Sequence, residues 1–445
     1  MKFWLCVEYK EPYGKGGLSS LRTHTASQLS EDQIGQSVRV AGWIEDIRPL
    51  GSIAFITVRD ATGLIQLLLR KEMGQLFEEA LKTPRQSIVS AYGVVQKSRA
   101  KAVKVEIEVK DFKVLSYATH PLPIDPTGRT PASLDLRISA RALDLRNPSV
   151  AAVFRIRHTA LQSIRRSLIN EGFLEVQTPK IIGQGAEGGA TLFALDYFGR
   201  QAYLAQSPQL YKEQLTLALE KVFEISSFFR AEKSNTRRHL SEFVSVDIEA
   251  AYYDVEDVMG VCERMVARCI EDVLEQNKAE LDILKRTLEK PSLPFPRLRY
   301  EDAIRDLQKA GFRIEEGEDL TDSALKVLGE IYKGFYFITD WPPHLKPFYI
   351  DVEGDRSKSF DLQYRALELA SGGRRISNRR KLEARMVELG LDPTSFSEHL
   401  KVFDWGMPPH SGWGFGLDRF MMVLTGKENI REVVLYPRDT VTLTP

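Results

Sequence analysis

The sequence predicts an α+β chain in which an all-β barrel precedes a larger domain built around an antiparallel sheet. Three observations predict it: apolar runs of period two before residue 118, a proline-rich stretch at residues 121–128, and strands that alternate with long helices after residue 150. The length of 445 residues leaves room for two or three domains.

The first folded region spans residues 21–118 and contains several short strands. Apolar residues at positions 103, 105, 107 and 109 alternate with charged ones, and residues 38–40 and 53–58 alternate similarly. This period is typical of strands with one buried face, and glycines between the runs favour a small barrel. Residues 1–20 read as a loose N-terminal extension, because they combine three glycines with no sustained pattern.

Residues 119–150 are predicted to be a hinge, since three prolines and a glycine fall within residues 121–128. The last domain, residues 151–445, begins with a helix from Val153 that Gly172 ends. Strands are predicted at residues 173–176, 202–205, 222–229, 243–251 and 335–339, and long helices near 255–276 and 378–389. This mixture indicates an α+β domain around an antiparallel sheet.

The charge and the cysteines exclude several classes of protein. Lys+Arg and Asp+Glu both number 61, which argues against a simple polycationic nucleic-acid coat. Of three cysteines, Cys262 and Cys269 fall on one face of a predicted helix and read as core residues. An odd count without a disulfide framework favours a reducing cytoplasm, and no apolar run is long enough to span a membrane.

Two arginine segments carry the chemistry. The phosphate-binding pattern of many ATPases is missing, because Gly426-Lys427 is followed by Glu428. The segment Phe229-Arg230-Ala231-Glu232 instead ends a predicted strand, where a guanidinium can hold two phosphate oxygens. Taken alone, a charged surface hairpin explains this segment equally well.

The second segment runs from Gly412 to Arg419. Glycines at every second position leave one face of a predicted strand without side chains, so that a flat ligand can approach the backbone. Arg419 then begins a predicted helix, residues 420–424, where an anion would be stabilised. A glycine-rich turn is the alternative, which the presence of two such segments makes weaker.

Three segments together resemble motifs 1, 2 and 3 of the class II aminoacyl-tRNA synthetases, in the order of that family. They are residues 172–179, Phe229-Arg230-Ala231-Glu232, and Gly414-Phe415-Gly416-Leu417-Asp418-Arg419. The front barrel resembles the anticodon-binding OB-fold of the aspartate–asparagine–lysine subgroup. Residues 186–189, 206–212, 238–243, 406–410 and 436–439 are similar to aspartate-specific members of the archaeal and eukaryotic type.

The resemblance implies an ATP site in which Arg230 and Arg419 are catalytic. Arg230 is expected at the α-phosphate, Arg419 at the γ-phosphate, and Phe243 against adenine. The implied ATP-binding set is Arg230, Glu232, Arg238, His239, Leu240, Phe243, Glu368, Gly416 and Arg419. Glu368 and Ser371 are the implied Mg²⁺ ligands, with Mg²⁺ neutralising charge on pyrophosphate.

The resemblance also implies that L-aspartate is activated and transferred to tRNA-Asp. Lys212 and Arg375 are expected to grip the side-chain carboxylate. The implied aspartate-binding set is Glu187, Gln206, Gln209, Lys212, Asp247, Ser371 and Arg375. Two cations that converge on one carboxylate favour aspartate, because a neutral amide leaves them poorly paired. Arg375 is chosen over the neighbouring Arg374.

For tRNA, the resemblance implies that Arg48, Phe55 and Gln66 contact the anticodon, by stacking on and reading unpaired bases. A position in the barrel core is the alternative for Phe55. Glu45 and Ala102 match neither strict nor relaxed recognition of tRNA-Asp, so charging of tRNA-Asn stays open. A homodimer is implied, because motif 1 forms the subunit interface in this class.

Two other functions remain as alternatives. An asparaginyl-tRNA synthetase would share the fold, and Lys212 and the run Met407-Pro408-Pro409-His410 argue against it. A non-catalytic tRNA-binding paralogue should lack Arg230, Glu368 or Arg419, and all three are present. Ala366 stands where this family usually has glycine.

Overall fold

The computed structural model describes residues 21–98, 103–185, 192–232 and 236–443. The chain divides into two compact units between Ala132 and Ser133, a point inside the segment 119–150 for which a hinge is predicted. None of the helices in these described ranges is long and apolar enough to cross a membrane.

The first unit is a closed five-stranded barrel in the order β1-β2-β3-β5-β4. Its strands are β1 (Ser37–Leu50), β2 (Ile53–Arg59), β3 (Leu64–Arg70), β4 (Ile88–Lys97) and β5 (Val105–Ser116), and α1 (Gln75–Lys82) lies between β3 and β4. Alternate residues such as Ala54, Ile56 and Val58 fill the interior. The barrel that the period-two pattern predicts is thus confirmed.

The second unit is built on an eight-stranded sheet in the order β12-β13-β16-β17-β18-β11-β10-β6. Its strands are β6 (Leu174–Glu175), β10 (Lys221–Phe229), β11 (Glu242–Ala251), β12 (Arg297–Arg299), β13 (Phe335–Thr339), β16 (Ser359–Tyr364), β17 (Leu367–Arg374) and β18 (His410–Gly416). Only the outer pairs β12–β13 and β10–β6 are parallel, so the predicted antiparallel sheet is confirmed.

Smaller strands and eleven helices of the described chain complete this unit. The strands are β7 (Ile181–Ile182), β8 (Ala194–Tyr197), β9 (Arg200–Leu204), β14 (Val352–Glu353) and β15 (Arg356–Ser357). The helices are α2 (Leu134–Ser139), α3 (Arg141–Asp144), α4 (Pro148–Asn170), α5 (Gln209–Leu219), α6 (Val255–Gln276), α7 (Lys278–Leu284), α8 (Tyr300–Lys309), α9 (Asp322–Ile331), α10 (Arg379–Glu388), α11 (Ser397–Phe403) and α12 (Leu417–Thr425).

Helices α4 and α6 form the main core with the sheet. Asn147 caps α4 by accepting from the Ser149 backbone N–H, Pro148 takes the first helical position, and Gly172 follows its end at φ +82°. Cys262 and Cys269 are fully buried on α6 within this core, as their spacing predicts. The core leaves the opposite face of the sheet available for polar side chains.

Helix α12 differs from its prediction. It begins at Leu417 rather than after Arg419, because the buried side chains of Leu417 and Asp418 already belong to its first turn. Arg419 therefore lies inside this turn, three residues past the end of the glycine-rich strand β18.

Candidate functional site

A cavity of ≈ 330 Å³ lies on the polar face of the sheet. Its walls include fourteen of the residues predicted for ATP or amino-acid binding: Gln206, Gln209, Arg230, Glu232, Arg238, His239, Leu240, Phe243, Asp247, Glu368, Ser371, Arg375, Gly416 and Arg419. Lys212 lies just behind the wall, and Glu187 falls outside the described residues. The structure thus brings the two predicted arginine segments into one cavity.

The glycines of β18 determine the shape of the cavity floor. Gly414 lies between Asp247 of β11 and Ser371 of β17. A Cβ atom on Gly412 would lie 2.4 Å from Glu249 Oε2. Gly414 and Gly416 therefore open the floor to a ligand, whereas Gly412 makes room for a buried carboxylate of the protein itself.

Arg230 follows β10 and lies over the ring of Phe243, with its guanidinium carbon 5.2 Å from the ring centroid. Phe243 is held on β11, opposite Phe228 of β10. A flat π-system that enters this part of the cavity would meet a ring and a guanidinium plane together. This geometry suits an adenine ring next to a phosphate.

Arg419 is fixed by two hydrogen bonds in the same cavity. Its Nη1 donates to the Glu368 carbonyl at 3.0 Å and its Nη2 to His239 Nε2 at 3.1 Å. Burial and the positive charge of Arg419 lower the pKa of His239. His239 is therefore a neutral acceptor, and the Arg419 guanidinium, 3.8 Å from Glu368 Oε1, lines the cavity where it could bind an anion.

Arg238 is the third cavity arginine. Its Nη1 donates to the Ala366 carbonyl at 3.1 Å and lies 3.6 Å from Asp322 Oδ1. Ala366 lies at the turn between β16 and β17 and binds Arg238 through this backbone carbonyl.

A pair of carboxylates lies beside the arginines, and sequence reasoning found only one of them. Asp361 of β16 lies opposite Ser371 and binds Lys346 at 2.7 Å, while its buried Oδ1 has no hydrogen-bond partner among the described residues. Burial in the cavity wall raises the pKa of the Glu368 carboxyl, and the negative charge of Asp361 raises it further. The sequence pattern that could have identified Asp361 is a charged residue between the apolar residues Phe360 and Leu362 of a strand.

The other end of the cavity holds a buried ionic cluster. Lys212 Nζ lies 3.1 Å from Asp247 Oδ1 and 3.6 Å from Glu249 Oε2. Arg375 donates to both oxygens of Glu249, at 2.9 and 3.3 Å. Sequence reasoning missed Glu249, although Asp247 and Glu249 alternate on β11 in the manner of two side chains on one face.

Glu249 corrects the sequence argument for aspartate. That argument took Lys212 and Arg375 as cations without a partner, whereas Glu249 is fully buried between them. A neutral amide would therefore leave the two cations paired with Glu249, and the electrostatic preference for a carboxylate is smaller than the sequence suggested.

The barrel presents its predicted tRNA residues on its outer face. Phe55 of β2 lies opposite Arg48 and Leu68, and it is half-buried between inward-facing Ala54 and Ile56. The alternative that Phe55 is a core residue is thus wrong. Gln66 donates to the buried carboxylate of Glu106 at 2.6 Å, which fixes the direction of its amide.

Glu45 lies on β1 of the barrel, where its carboxylate is paired with an arginine. Glu45 forms a two-point ion pair with Arg59, one bond of which measures 3.1 Å. Ala102 falls outside the described residues.

Two known protein families together match most of the chain. Residues 133–440 match the family of tRNA synthetases class II (D, K and N), and residues 38–115 match the OB-fold nucleic acid binding domain. The chain belongs to the class II aminoacyl-tRNA synthetases. Enzymes of this class use ATP with a divalent metal.

Individual relatives cover nearly the whole chain. It is 46% identical over 430 residues to a protein named Aspartate--tRNA(Asp/Asn) ligase from Methanothermobacter thermautotrophicus, covering 95% of this chain and 98% of the relative. A relative of the same name from Archaeoglobus fulgidus is also 46% identical, covering 96% and 100%. The asparaginyl-tRNA synthetase of Pyrococcus horikoshii with asparaginyl-adenylate superposes with a TM-score of 0.91 at 33% identity, covering 95% and 99%.

The carboxylates of the synthetase fit a divalent cation. Asp361 and Glu368 bring two negative charges together, and Asp361 Oδ1 is buried without a partner in the described chain. Within the described ranges no cluster of three or more His, Cys, Asp or Glu side chains is placed to hold a metal alone. The remaining ligands would therefore be the Ser371 hydroxyl, water and phosphate oxygens of ATP, which is a common arrangement for Mg²⁺.

Replacing Asp361 by asparagine should weaken this site. We expect Asp361→Asn to raise the metal concentration for half-maximal ATP–pyrophosphate exchange by about 10-fold or more, because a ligand or its close partner is lost. The control is Asp272→Asn, which alters an equally buried carboxylate paired with Arg166 and Arg268 on the core side of α6. An unchanged metal requirement in Asp361→Asn would assign this carboxylate to folding alone.

Proposed function

We propose that this synthetase is an aspartate–tRNA ligase. It joins L-aspartate to ATP, giving aspartyl-adenylate and pyrophosphate, and then transfers aspartate to tRNA-Asp. The observation that carries the proposal is the position of Lys212, which donates to Asp247 at 3.1 Å and shares Glu249 with Arg375 at one end of the cavity. Relatives named Aspartate--tRNA(Asp/Asn) ligase, 46% identical over nearly the whole chain, support it.

Adenylate formation needs placement and charge stabilisation from the protein. An oxygen of the aspartate α-carboxylate attacks the α-phosphorus of ATP, and the bond to the bridging oxygen breaks as pyrophosphate leaves. Arg230 stabilises charge on the α-phosphate, while Arg419, already oriented by Glu368 and His239, holds the far end of the triphosphate. No side chain forms a covalent bond in this step.

The metal of this proposal is Mg²⁺, held by Glu368, Ser371 and Asp361. When bound, it supplies positive charge next to the leaving pyrophosphate. The carboxylates are hard oxygen ligands, which Mg²⁺ prefers. Lys346 already neutralises one oxygen of Asp361, which limits the site's negative charge.

Aspartate selection rests on the ionic cluster around Glu249. The α-ammonium group would meet the acidic side of the cavity at Asp247, with Gln206 nearby. The side-chain carboxylate would approach Arg375, which lines the cavity and shares Glu249 with Lys212. Gln209 and Ser371 complete this end, and Glu187 is assigned by the family resemblance alone.

The second candidate is an asparaginyl-tRNA synthetase, which the neutral charge balance of Lys212, Arg375, Asp247 and Glu249 favours. The structural similarity to the Pyrococcus horikoshii enzyme also favours it. ATP–pyrophosphate exchange driven separately by aspartate and by asparagine distinguishes the two. We expect exchange with aspartate, and exchange with asparagine alone would establish the second candidate. A folded protein that exchanges with neither amino acid but binds tRNA would be the non-catalytic paralogue.

Lys212 should be needed for aspartate and not for ATP. We expect Lys212→Met to reduce aspartate-dependent exchange by about 100-fold or more, since Asp247 and Glu249 lose a buried counter-charge. ATP affinity, measured by calorimetry, should change less than about two-fold. Lys180→Met, which removes a lysine from the ion pair with Glu224, is the control. Equal losses of ATP and aspartate binding would give Lys212 a structural role.

The outer face of the barrel is proposed to bind the tRNA anticodon through Arg48, Phe55 and Gln66. We expect Phe55→Ala to lower kcat/KM for tRNA-Asp by about 10-fold, because base–aromatic stacking is worth about 1–3 kcal/mol. Exchange without tRNA should be unaffected. Tyr92→Ala removes another outward aromatic, on β4, and is the control. Charging of tRNA-Asp and tRNA-Asn in parallel will decide whether both are substrates.

A homodimer is proposed through the segment that resembles motif 1. Strand β6 is the edge of the large sheet, and Ile169, Leu174 and Ile181 are about half exposed near it. We expect light scattering at roughly micromolar protein to give twice the chain mass, since an apolar edge favours pairing. Leu174→Asp should yield monomers and Ile283→Asp should not. A wild-type monomer would refute the proposal.

A further inference from the structure

Helix α5 carries an unusual buried face. Gln209, Lys212, Glu213 and Thr216 are polar, lie at helical spacing and are all at most 4% exposed. Gln209 reaches the cavity and Lys212 reaches Asp247, whereas Glu213 lies behind them and has no part in the chemistry above. A buried carboxylate costs free energy unless charges or donors compensate it.

Three groups surround Glu213. Gln209 Nε2 donates to its Oε1 at 2.5 Å, while His399 Nε2 of α11 and His410 Nε2 of β18 lie 3.5 and 3.9 Å from its Oε2. Both histidines are at most 3% exposed. Their Nε2 atoms and Glu213 Oε2 have no hydrogen-bond partner elsewhere in the described chain, so they compensate only one another.

Hydrogen-bond partners indicate which ring nitrogens of the two histidines carry protons. His410 Nδ1 lies 2.8 Å from the Pro408 carbonyl, an acceptor only, so Nδ1 carries a proton. A second proton on its Nε2, which lies 3.9 Å from Glu213 Oε2, would make His410 an imidazolium facing a carboxylate, the form that its raised pKa favours. His399 Nδ1 accepts from the Gln214 amide at 3.1 Å, so its single proton lies on Nε2, toward Glu213.

The charged groups around His410 agree with this assignment. Burial opposes the charged form, but Glu213 of α5 and Glu249 of β11 raise the pKa of His410 above its ordinary value. Burial also opposes the charge of Glu213, but His399 and His410 lower its pKa. The Arg375 backbone N–H donates to the His410 carbonyl at 2.9 Å, and its guanidinium, bound to Glu249, adds a positive charge near Glu213.

We propose that Glu213 and His410 form a buried ion pair that positions the amino-acid end of the cavity. Glu213 orients the Gln209 amide and anchors α5, with Lys212, against β18. The pair also keeps His410 from competing with Lys212 and Arg375 for Glu249. Both are positioning residues that do not touch the substrate, and the inference rests on the proposed function for what binds at this end.

The consequence is selective for one substrate. The cluster contains three positive side chains, Lys212, Arg375 and His410. Their charges balance those of three carboxylates, Asp247, Glu249 and Glu213. Neutralising Glu213 removes the partner of His410 and changes the charge beside Glu249 and its bridge to Arg375. The Michaelis constant for aspartate should rise, whereas that for ATP should not, because Arg230 packs on Phe243 and Arg419 binds Glu368 and His239 at the other end of the cavity.

The test is ATP–pyrophosphate exchange with Glu213→Gln and His410→Gln in the full-length protein. We expect KM for aspartate to rise about 10-fold or more in each, with KM for ATP within about two-fold, since a buried donor or charge is left unpaired. Glu263→Gln is the matched control, because Glu263 is a buried carboxylate on α6 that binds Arg297 and the Phe295 N–H, away from the cavity. It should leave both constants unchanged.

The outcomes separate this inference from the proposed function. A wild-type protein without aspartate-dependent exchange refutes the function itself. Active variants with unchanged KM for aspartate, or with both constants raised equally, overturn the positioning role. If the variants do not fold, wild-type KM for aspartate is measured from about pH 7 upward. The imidazolium persists above the ordinary histidine pKa and is lost as pH rises through its raised value. A rise in KM for aspartate relative to ATP supports the pair, and a constant ratio overturns it.

Discussion

The cavity depends on one buried carboxylate, Glu249, which binds Arg375 through both oxygens and lies 3.6 Å from Lys212. It joins β11, the end of β17 and helix α5 at a point that water does not reach. Gly412 is needed for it, since a side chain there would overlap the carboxylate. A buried ion of this kind is stable only when its partners are fixed, so the floor of the cavity is rigid before any ligand arrives.

The two ends of the cavity use charge in opposite ways. At the amino-acid end, cations and carboxylates are already paired, and the cluster is close to neutral. At the phosphate end, burial and the nearby charge of Asp361 raise the pKa of Glu368, while Arg419 is held in place by neutral His239. These charges are incompletely compensated within the protein alone. A metal would pair with the carboxylates, and a triphosphate would pair with the arginine. This difference in charge favours the proposed orientation, with the phosphates near Arg419 and the amino acid near Arg375.

The sequence predicted the elements of this site better than its contacts. Strand β10 and helix α6 follow from local periodicity, and Arg230 and Arg419 follow from motifs, so local patterns were sufficient for them. Glu249 and Asp361 were missed because their roles arise across strands, from the register that places Gly412 beside Glu249 and Ser371 beside Asp361. Phe55 could not be assigned to either face of the barrel until its neighbours Ala54 and Ile56 were seen inside. Such choices depend on long-range pairing that a single strand does not encode.

Discrimination between aspartate and asparagine follows from the same pairing. An aspartate carboxylate gains the attraction of Arg375 only to the extent that Glu249 yields part of it, whereas an asparagine amide leaves the existing bridge intact. Under the proposed function, the site would select by a difference between two nearly balanced states, and small shifts in the charge around Glu249 would change that difference. Because Lys212 and His410 contribute the other nearby positive charges, the choice of substrate is a property of the whole cluster rather than of Lys212 and Arg375 alone.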